Sequence, residues 1–353
     1  MRRLAIIGAG IVGLFIGYEA IRNGFKTTIY EKEDRVGLGS SGRNPGLIHV
    51  IQLPFRSYKS RLARAGSRMY KHLSMEIGFK YIPIKLLLVY RRNIYRIFSH
   101  IVRLYLSRHG VIARRVDRDR LIRDHPYLSR DIKGGLVIDG YGLVDPLDVL
   151  NRLKEYLEDN GCEIILGMGV GDIALRDDAV YIDSRGYDYA IVSAGAGTRD
   201  IALRMGLKPP EQRYARGLMV KVDMDIDIAI AGLEGDGRGR YTKGGGIIPV
   251  LGEDRAILGP GFRWVGDPYD YNASRDEVES VYNRFVGLLS HEPRIVSLHS
   301  GVRVINWPVD DYIVDNSLGR VIFLYGIDSP GLTAAPALAR DVVGMLTARE
   351  DPI

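Results

Sequence analysis

Four uncharged apolar residues, Leu4, Ala5, Ile6 and Ile7, follow Met1-Arg2-Arg3 and suffice for a buried strand. After a run of glycines, Leu14, Ile16, Tyr18, Ala20 and Ile21 mark an amphipathic helix that Gly24 ends, and residues 27–30 read as a second strand. Helical periodicity returns over residues 58–77, apolar at Leu62, Ala65, Met69 and Leu73, and residues 82–90 read as a strand. Ile94, Ile97, Ile101, Leu104 and Tyr105 then recur at helical spacing, with Arg96, Arg103 and Arg108 between them. Such a stripe is expected to face a core rather than lie on a membrane.

Residues 134–144 read as paired strand runs with a Gly-rich connection. Asp145 suits an N-cap and Pro146 a first helical position, opening a helix to about Asn160. Short strands follow at residues 162–166, 172–175 and 179–182, and another from Tyr189 runs into Gly195 and Gly197. Residues 216–262 read as all-β, punctuated by glycines at 235–239 and 244–246. A helix over 276–289, a strand over 321–325 and a last helix from Thr333, with Pro336 in its first turn, complete the chain. The second strand-glycine signature implies that the first fold resumes late. The expected class is α/β (α+β as a whole), with a discontinuous Rossmann-like domain and a second, antiparallel-sheet substrate domain. Residues 1–78, 139–206 and 298–353 are assigned to the first, 79–138 and 207–297 to the second.

The glycines between the first strand and helix are Gly8, Gly10 and Gly13, the spacing G-x-G-x-x-G. Gly8 permits a tight turn, Gly10 lets a pyrophosphate approach the backbone, and Gly13 lets helix and strand pack closely. The helix N-terminus then offers free N–H groups to phosphate. Glu31, eighteen residues after Gly13, can accept hydrogen bonds from both ribose hydroxyls. With strand, helix and acid in place, the motif predicts a dinucleotide site.

A chain of 353 residues with 46% hydrophobic and 26% charged residues reads as a globular protein of one large or two moderate domains. No secretory leader or membrane span is expected, and a cytoplasmic location fits. Cys162 is the only cysteine, which excludes a disulfide framework and any multi-Cys metal site, so no metal is expected. Scarce Cys and Gln beside abundant Arg and Tyr is a composition of thermophiles. The net charge of +6 is concentrated: residues 91–130 hold eleven Arg against Asp117, Asp119 and Asp124. That stretch reads first as a solvated face, with peripheral contact at the inner face of a membrane as the alternative and nucleic acid as a further one that is not favoured.

Several motifs together resemble the D-amino-acid-oxidase-like family of FAD-dependent oxidoreductases. These are Gly8 to Gly13 with Glu31, Ser41-Gly42-Arg43-Asn44-Pro45-Gly46-Leu47-Ile48-His49, Gly142 to Pro146, Ser193-Ala194-Gly195, Leu258-Gly259-Pro260, Gly301-Val302-Arg303, and Gly326 to Thr333. The branch most similar in pattern is that of L-2-hydroxyglutarate dehydrogenases and flavin-dependent glycerol-3-phosphate dehydrogenases. Two departures touch the expected substrate face: Val50-Ile51-Gln52 replaces an Ala-Gly and aromatic pair, and Pro45 stands where serine is common.

The resemblance implies FAD as cofactor, its pyrophosphate over Gly8, Gly10, Ile11, Val12 and Gly13 and its ribose at Glu31 and Lys32. Ser41, Arg43, Asn44, Gly46 and Leu47 would follow the cofactor, and Val170, Ala194 and Gly195 would line the adenine. Asp328, Ser329, Gly331, Leu332 and Thr333 would meet the flavin, where a helix N-terminus stabilises negative charge. Arg303, by its family position, would anchor an anionic substrate through its fork.

Three readings of His49 stay open: base for an alcohol's hydroxyl proton, buried structural histidine, or covalent flavin link. Tyr241 and Lys243 are further pocket candidates. The implied reaction is hydride removal from a hydroxyl-bearing carbon of a small anionic substrate, a 2-hydroxy acid or glycerol 3-phosphate. An amine or amino-acid oxidase of the same fold is the alternative, and the electron acceptor is open among oxygen, a quinone and a partner protein.

Overall fold

The run Leu4 to Ile7 is fully enclosed because both faces of its strand are covered. The computed structural model describes residues 1–176, 179–233 and 245–348. In it β1 (Arg3–Ile7) is flanked in parallel by β2 (Lys26–Tyr30) and by the strand Tyr189–Val192, with Ile7 in register with both Tyr30 and Val192. Glu163–Ile165 extends the sheet beyond β2, and Val321–Tyr325 and then Ile313–Asp315 extend it on the other side, the last pairing antiparallel. Three sequence-distant segments thus build one sheet.

The helix α1 (Ile11–Arg22) is buried nearly all round. Its neighbours include α5 (Pro146–Asp159) and α8 (Gly331–Thr347), and Gly17 admits Leu157 and Ile29 side chains where a Cβ would crowd them. α2 (Tyr58–Ile77) packs on α8 so closely that Gly66 lies against the Thr333 carbonyl. Pro336 falls in the second turn of α8, since the helix begins at Gly331 rather than Thr333. Its missing N–H leaves the Leu332 carbonyl without the usual helical donor, and the Tyr70 hydroxyl donates there at 2.5 Å.

A second, ten-stranded sheet stands against this half. Its described strands pair antiparallel except where Ala229–Gly232 runs parallel to Tyr81–Tyr90. Gly134–Val144 is one continuous strand rather than two runs, bending at Gly140 (φ +93°). Gln212–Asp223 and Ile295–Asn306 form a long antiparallel pair within it. The boundaries expected at 138/139 and 297/298 therefore fall inside strands; cross-strand pairing, invisible to periodicity, carries both segments into the second sheet. α4 (Arg118–Asp124) and α7 (Arg275–Val286) cover it through Leu121, Val281 and Phe285, and α6 (Thr198–Arg204) packs on the first sheet.

α3 (Ile94–Arg108) corrects the expectation for its stripe. Ser99 and Leu106 are its buried residues, whereas Ile94, Ile97, Phe98, Ile101, Leu104 and Tyr105 are 44–64% exposed. A narrow opposite face, with Leu106 beside Phe55 and Val111, attaches the helix to the sheet. Glycines 235–239 and Gly244 lie outside the described residues.

Candidate functional site

The glycine turn has the geometry its spacing requires. Gly8 sits at φ +106°, where a Cβ would strike the Ser193 carbonyl oxygen at 2.7 Å, and Gly13 abuts the Gly8 carbonyl. α1 then starts after Gly10 with no side-chain cap and no acidic residue in its first turn. The Ile11 N–H donates to Ser41 Oγ at 3.0 Å, so a hydroxyl oxygen stands at the positive end of the helix. Glu31 directly follows β2, its carboxylate fixed by two amides, Ala9 N–H to Oε2 at 2.7 Å and Glu33 N–H to Oε1 at 3.1 Å. Each oxygen retains acceptor capacity for a ribose hydroxyl. A narrow glycine cradle, an acid-free helix N-terminus and an oriented carboxylate fit a dinucleotide pyrophosphate and ribose.

The following loop is locked internally and to the second sheet. Ser40 Oγ donates to the Val302 carbonyl at 2.6 Å, Asn44 Nδ2 to the Ser41 carbonyl at 2.5 Å, and the Gly46 N–H to Asn44 Oδ1 at 2.8 Å. Asn44 thus shapes the loop with its own amide. Gly46, at φ +77°, lies against the Val144 carbonyl, and Leu47 and Ile48 pair with Leu143 and Gly142. Two basic side chains expected at the cofactor are directed to tyrosines: Lys32 Nζ lies 4.6 Å from the Tyr269 ring and the Arg43 guanidinium 4.0 Å from that of Tyr271. They lace the two halves together. At the other end of the turn, half-buried Val170 and Ala194 share one apolar cluster, with Gly195 at φ +57°.

The loop delivers His49 to α8: its backbone N–H donates to Thr333 Oγ1 at 3.0 Å, and its ring stands edge-on to Tyr141 at 6.1 Å between centroids. α8 itself starts after Pro330 without a side-chain cap or an acid in its first turn, so Gly331, Leu332 and Thr333 form a second open N-terminus. Asp328 lies behind it. Its carboxylate is fully buried and meets Lys59 Nζ at 3.0 Å, while Lys59 also reaches Asp310 at 2.8 Å. Burial works against the Lys59 charge, but Asp328 and Asp310 hold its pKa above the ordinary lysine value. The Tyr58 and Lys59 N–H groups donate to the carboxylate of Asp311, the neighbour of Asp310, so Asp311 caps α2.

Arg303 comes from the strand Ile295–Asn306. Burial lowers its pKa, and the charges of Asp328 and Asp310 pull the other way. Its Nη2 makes one long contact, 3.5 Å to the Gly261 carbonyl, and its buried Nη1 has no hydrogen-bond partner among the described residues. A buried guanidinium N–H without an acceptor is costly, and an incoming anion would satisfy it. His299 lies two pleats away with Gly301 between, so all three share one strand face. Burial, Lys221 and Arg43 lower the His299 pKa, keeping a neutral imidazole at pH 7.

The sequence reading missed His299 and Lys59. The i, i+2, i+4 alternation with Arg303 could have flagged the histidine. Nothing flags Lys59, which reads as an ordinary surface lysine of an amphipathic helix. Cys162 is buried, its thiol pushed up to about 12 by desolvation, and serves packing. No metal-binding group of His, Cys, Asp or Glu occurs among the described residues, and Tyr241 and Lys243 lie outside them.

The chain is similar to several known proteins. A glycerol 3-phosphate dehydrogenase of Caloramator mitchellensis is 24% identical over 97% of this chain and 73% of its own length. A glycerol 3-phosphate oxidase of Mycoplasma pneumoniae is 23% identical over 98% of this chain and 94% of its own. Among solved structures, the dithionite-reduced L-α-glycerophosphate oxidase of Mycoplasma pneumoniae with FAD bound superposes with a TM-score of 0.88, at 20% identity over 98% of this chain and 94% of that one. Glycine oxidase of Geobacillus kaustophilus superposes with a TM-score of 0.85, at 18% identity over 100% and 97%. The family model described as FAD dependent oxidoreductase matches residues 3–345, and the chain is therefore a member of this D-amino-acid-oxidase-like family, with FAD as its cofactor.

Proposed function

We propose that this FAD-dependent oxidoreductase oxidises the hydroxyl-bearing carbon of glycerol 3-phosphate. The observation that carries the reading is the buried Arg303 Nη1 with no acceptor among the described residues, on a strand locked to the loop that bears His49. Support also comes from two relatives that cover nearly the whole chain and bear that substrate in their names.

Gly8, Gly10, Ile11, Val12, Gly13 and Glu31 would hold the pyrophosphate and ribose of FAD, and Gly331, Leu332 and Thr333 would offer backbone N–H groups to the flavin. Bound FAD supplies the acceptor for the hydride. Arg303 binds the phosphate by charge-assisted hydrogen bonds and so sets the orientation of the glycerol carbons. His49, its backbone pinned by Thr333, takes the hydroxyl proton as its carbon is oxidised. An amine bound as the free base, its proton already lost to solvent, carries a lone pair and needs no such base.

The test is anaerobic flavin bleaching of the FAD-loaded protein by glycerol 3-phosphate, L-2-hydroxyglutarate, glycine and sarcosine in parallel. Bleaching by glycerol 3-phosphate far ahead of the others supports the proposal. Bleaching led by glycine or sarcosine would replace it with the amine-oxidase reading.

A further inference from the structure

α3 exposes the face that amphipathic helices of a folded domain turn inward. At about 100° per residue, Ile94, Ile97, Phe98, Ile101, Leu104 and Tyr105 fall in an arc of roughly 120°. All six are exposed, and Ile112, just beyond the helix, and Leu53, in the loop after His49, are exposed as well. The helix is 15 residues long, about 22 Å, too short to cross a bilayer. No described helix is long and apolar enough to do so.

The sequence along this face carries one sign of charge, and Asp139 on the neighbouring strand meets Arg114 at 2.8 Å. From Arg91 to Val116 the chain has seven arginines and no acidic residue. Arg91, Arg92, Arg96 and Arg108 are exposed at the ends and flank of α3, and Arg114 and Arg115 on the strand Ala113–Asp117 beside it. We propose that α3 lies flat on an anionic phospholipid surface, its apolar arc among the acyl chains and its arginines on the headgroups. An apolar arc rimmed by arginine is the pattern of a helix that binds in the membrane interface. A second copy of this chain fits the patch poorly, because pairing α3 with α3 would bring two arginine rims together without a countercharge.

Phe55, six residues after His49, stacks on His109 at 4.2 Å and meets Tyr105 at 5.5 Å. The segment between His49 and α3 is thus packed against the docking helix. A bilayer there would place an acceptor dissolved in lipid on the side of the molecule where the His49 loop emerges. The proposal does not depend on the identity of the substrate.

The test is cosedimentation of the intact FAD-bound protein with vesicles of phosphatidylcholine alone or mixed equally with phosphatidylglycerol. The wild type should sediment with the anionic vesicles and be released by salt. Ile97→Glu with Ile101→Glu should cut binding more than tenfold, and Arg96→Gln with Arg108→Gln should weaken it by about fivefold per arginine on anionic vesicles only. Both variants should keep the flavin spectrum and turnover with a soluble acceptor, which shows that they are folded. Absence of wild-type binding to anionic vesicles, or undiminished binding by the double glutamate variant, overturns the proposal. So does a dimer in solution that the glutamate variant dissolves.

Discussion

On the proposed reading, the two halves of the site recognise their ligands by different means. The nucleotide half works mainly through backbone: glycines that admit a pyrophosphate and two helix N-termini left open, at Gly10 and Pro330, with Glu31 its main side-chain contribution. The substrate half would work through single side chains, Arg303 and His49, whose aim is set by partners distant in sequence. Lys59, Asp310 and Asp328 form the joint between them, a buried ion group behind the α8 N-terminus that also acts on the charge of Arg303. Backbone recognition is spread over many contacts and tolerates one loss. Side-chain recognition is concentrated, so one truncation should be severe.

Substitutions can break this contrast. His49→Ala should slow flavin reduction by about 10²–10⁴-fold while flavin content stays normal. An unchanged anaerobic rate would remove His49 as the base.

Lys59→Met removes the cation that meets the buried Asp328 and partly buried Asp310 carboxylates and should lower stability by about 3–5 kcal/mol in denaturant unfolding. Linkage gives the sign of its pH dependence. The folded-state pKa of Lys59 is raised, so its contribution is complete below the ordinary lysine pKa and is lost as pH climbs through the raised value. The gap between wild type and variant should therefore be full at neutral pH and narrow only in strong alkali.

Arg303→Ala should cost about 10²–10³-fold in the efficiency of reduction by an anionic substrate, with FAD retained. Glu31→Ala should be mildest, loosening FAD by about 10–10²-fold without changing the chemistry of bound flavin. Flavin loss in Arg303→Ala, or tight retention in Glu31→Ala, would mean that the division between halves is drawn in the wrong place.

The same contrast explains what could be read in advance. The glycine turn, Glu31 and the Asp145 cap are local, and their spacing alone fixed them. Strand pairing is not local, so the boundaries expected at 138/139 and 297/298 cut through Gly134–Val144 and Ile295–Asn306, and Arg303 depended on family resemblance. Lys59 meets Asp310 and Asp328 across more than 250 positions, and no sequence pattern announces that meeting. The α3 stripe shows another limit: periodicity tells which residues share a helix face but not what that face meets. The stripes of α2 and α3 are alike in spacing; α8 covers one, and nothing in the described chain covers the other.

The central claim is that Arg303 reads the anionic end of the substrate while the nucleotide half only holds FAD. Anaerobic stopped-flow reduction by glycerol 3-phosphate and by glycerol, in wild type and Arg303→Ala, tests it most directly. The account predicts that wild type prefers the phosphorylated substrate by at least about 10²-fold and that the variant, still fully loaded with FAD, loses that preference. A variant that keeps the preference, or a wild type reduced equally by both, would contradict it.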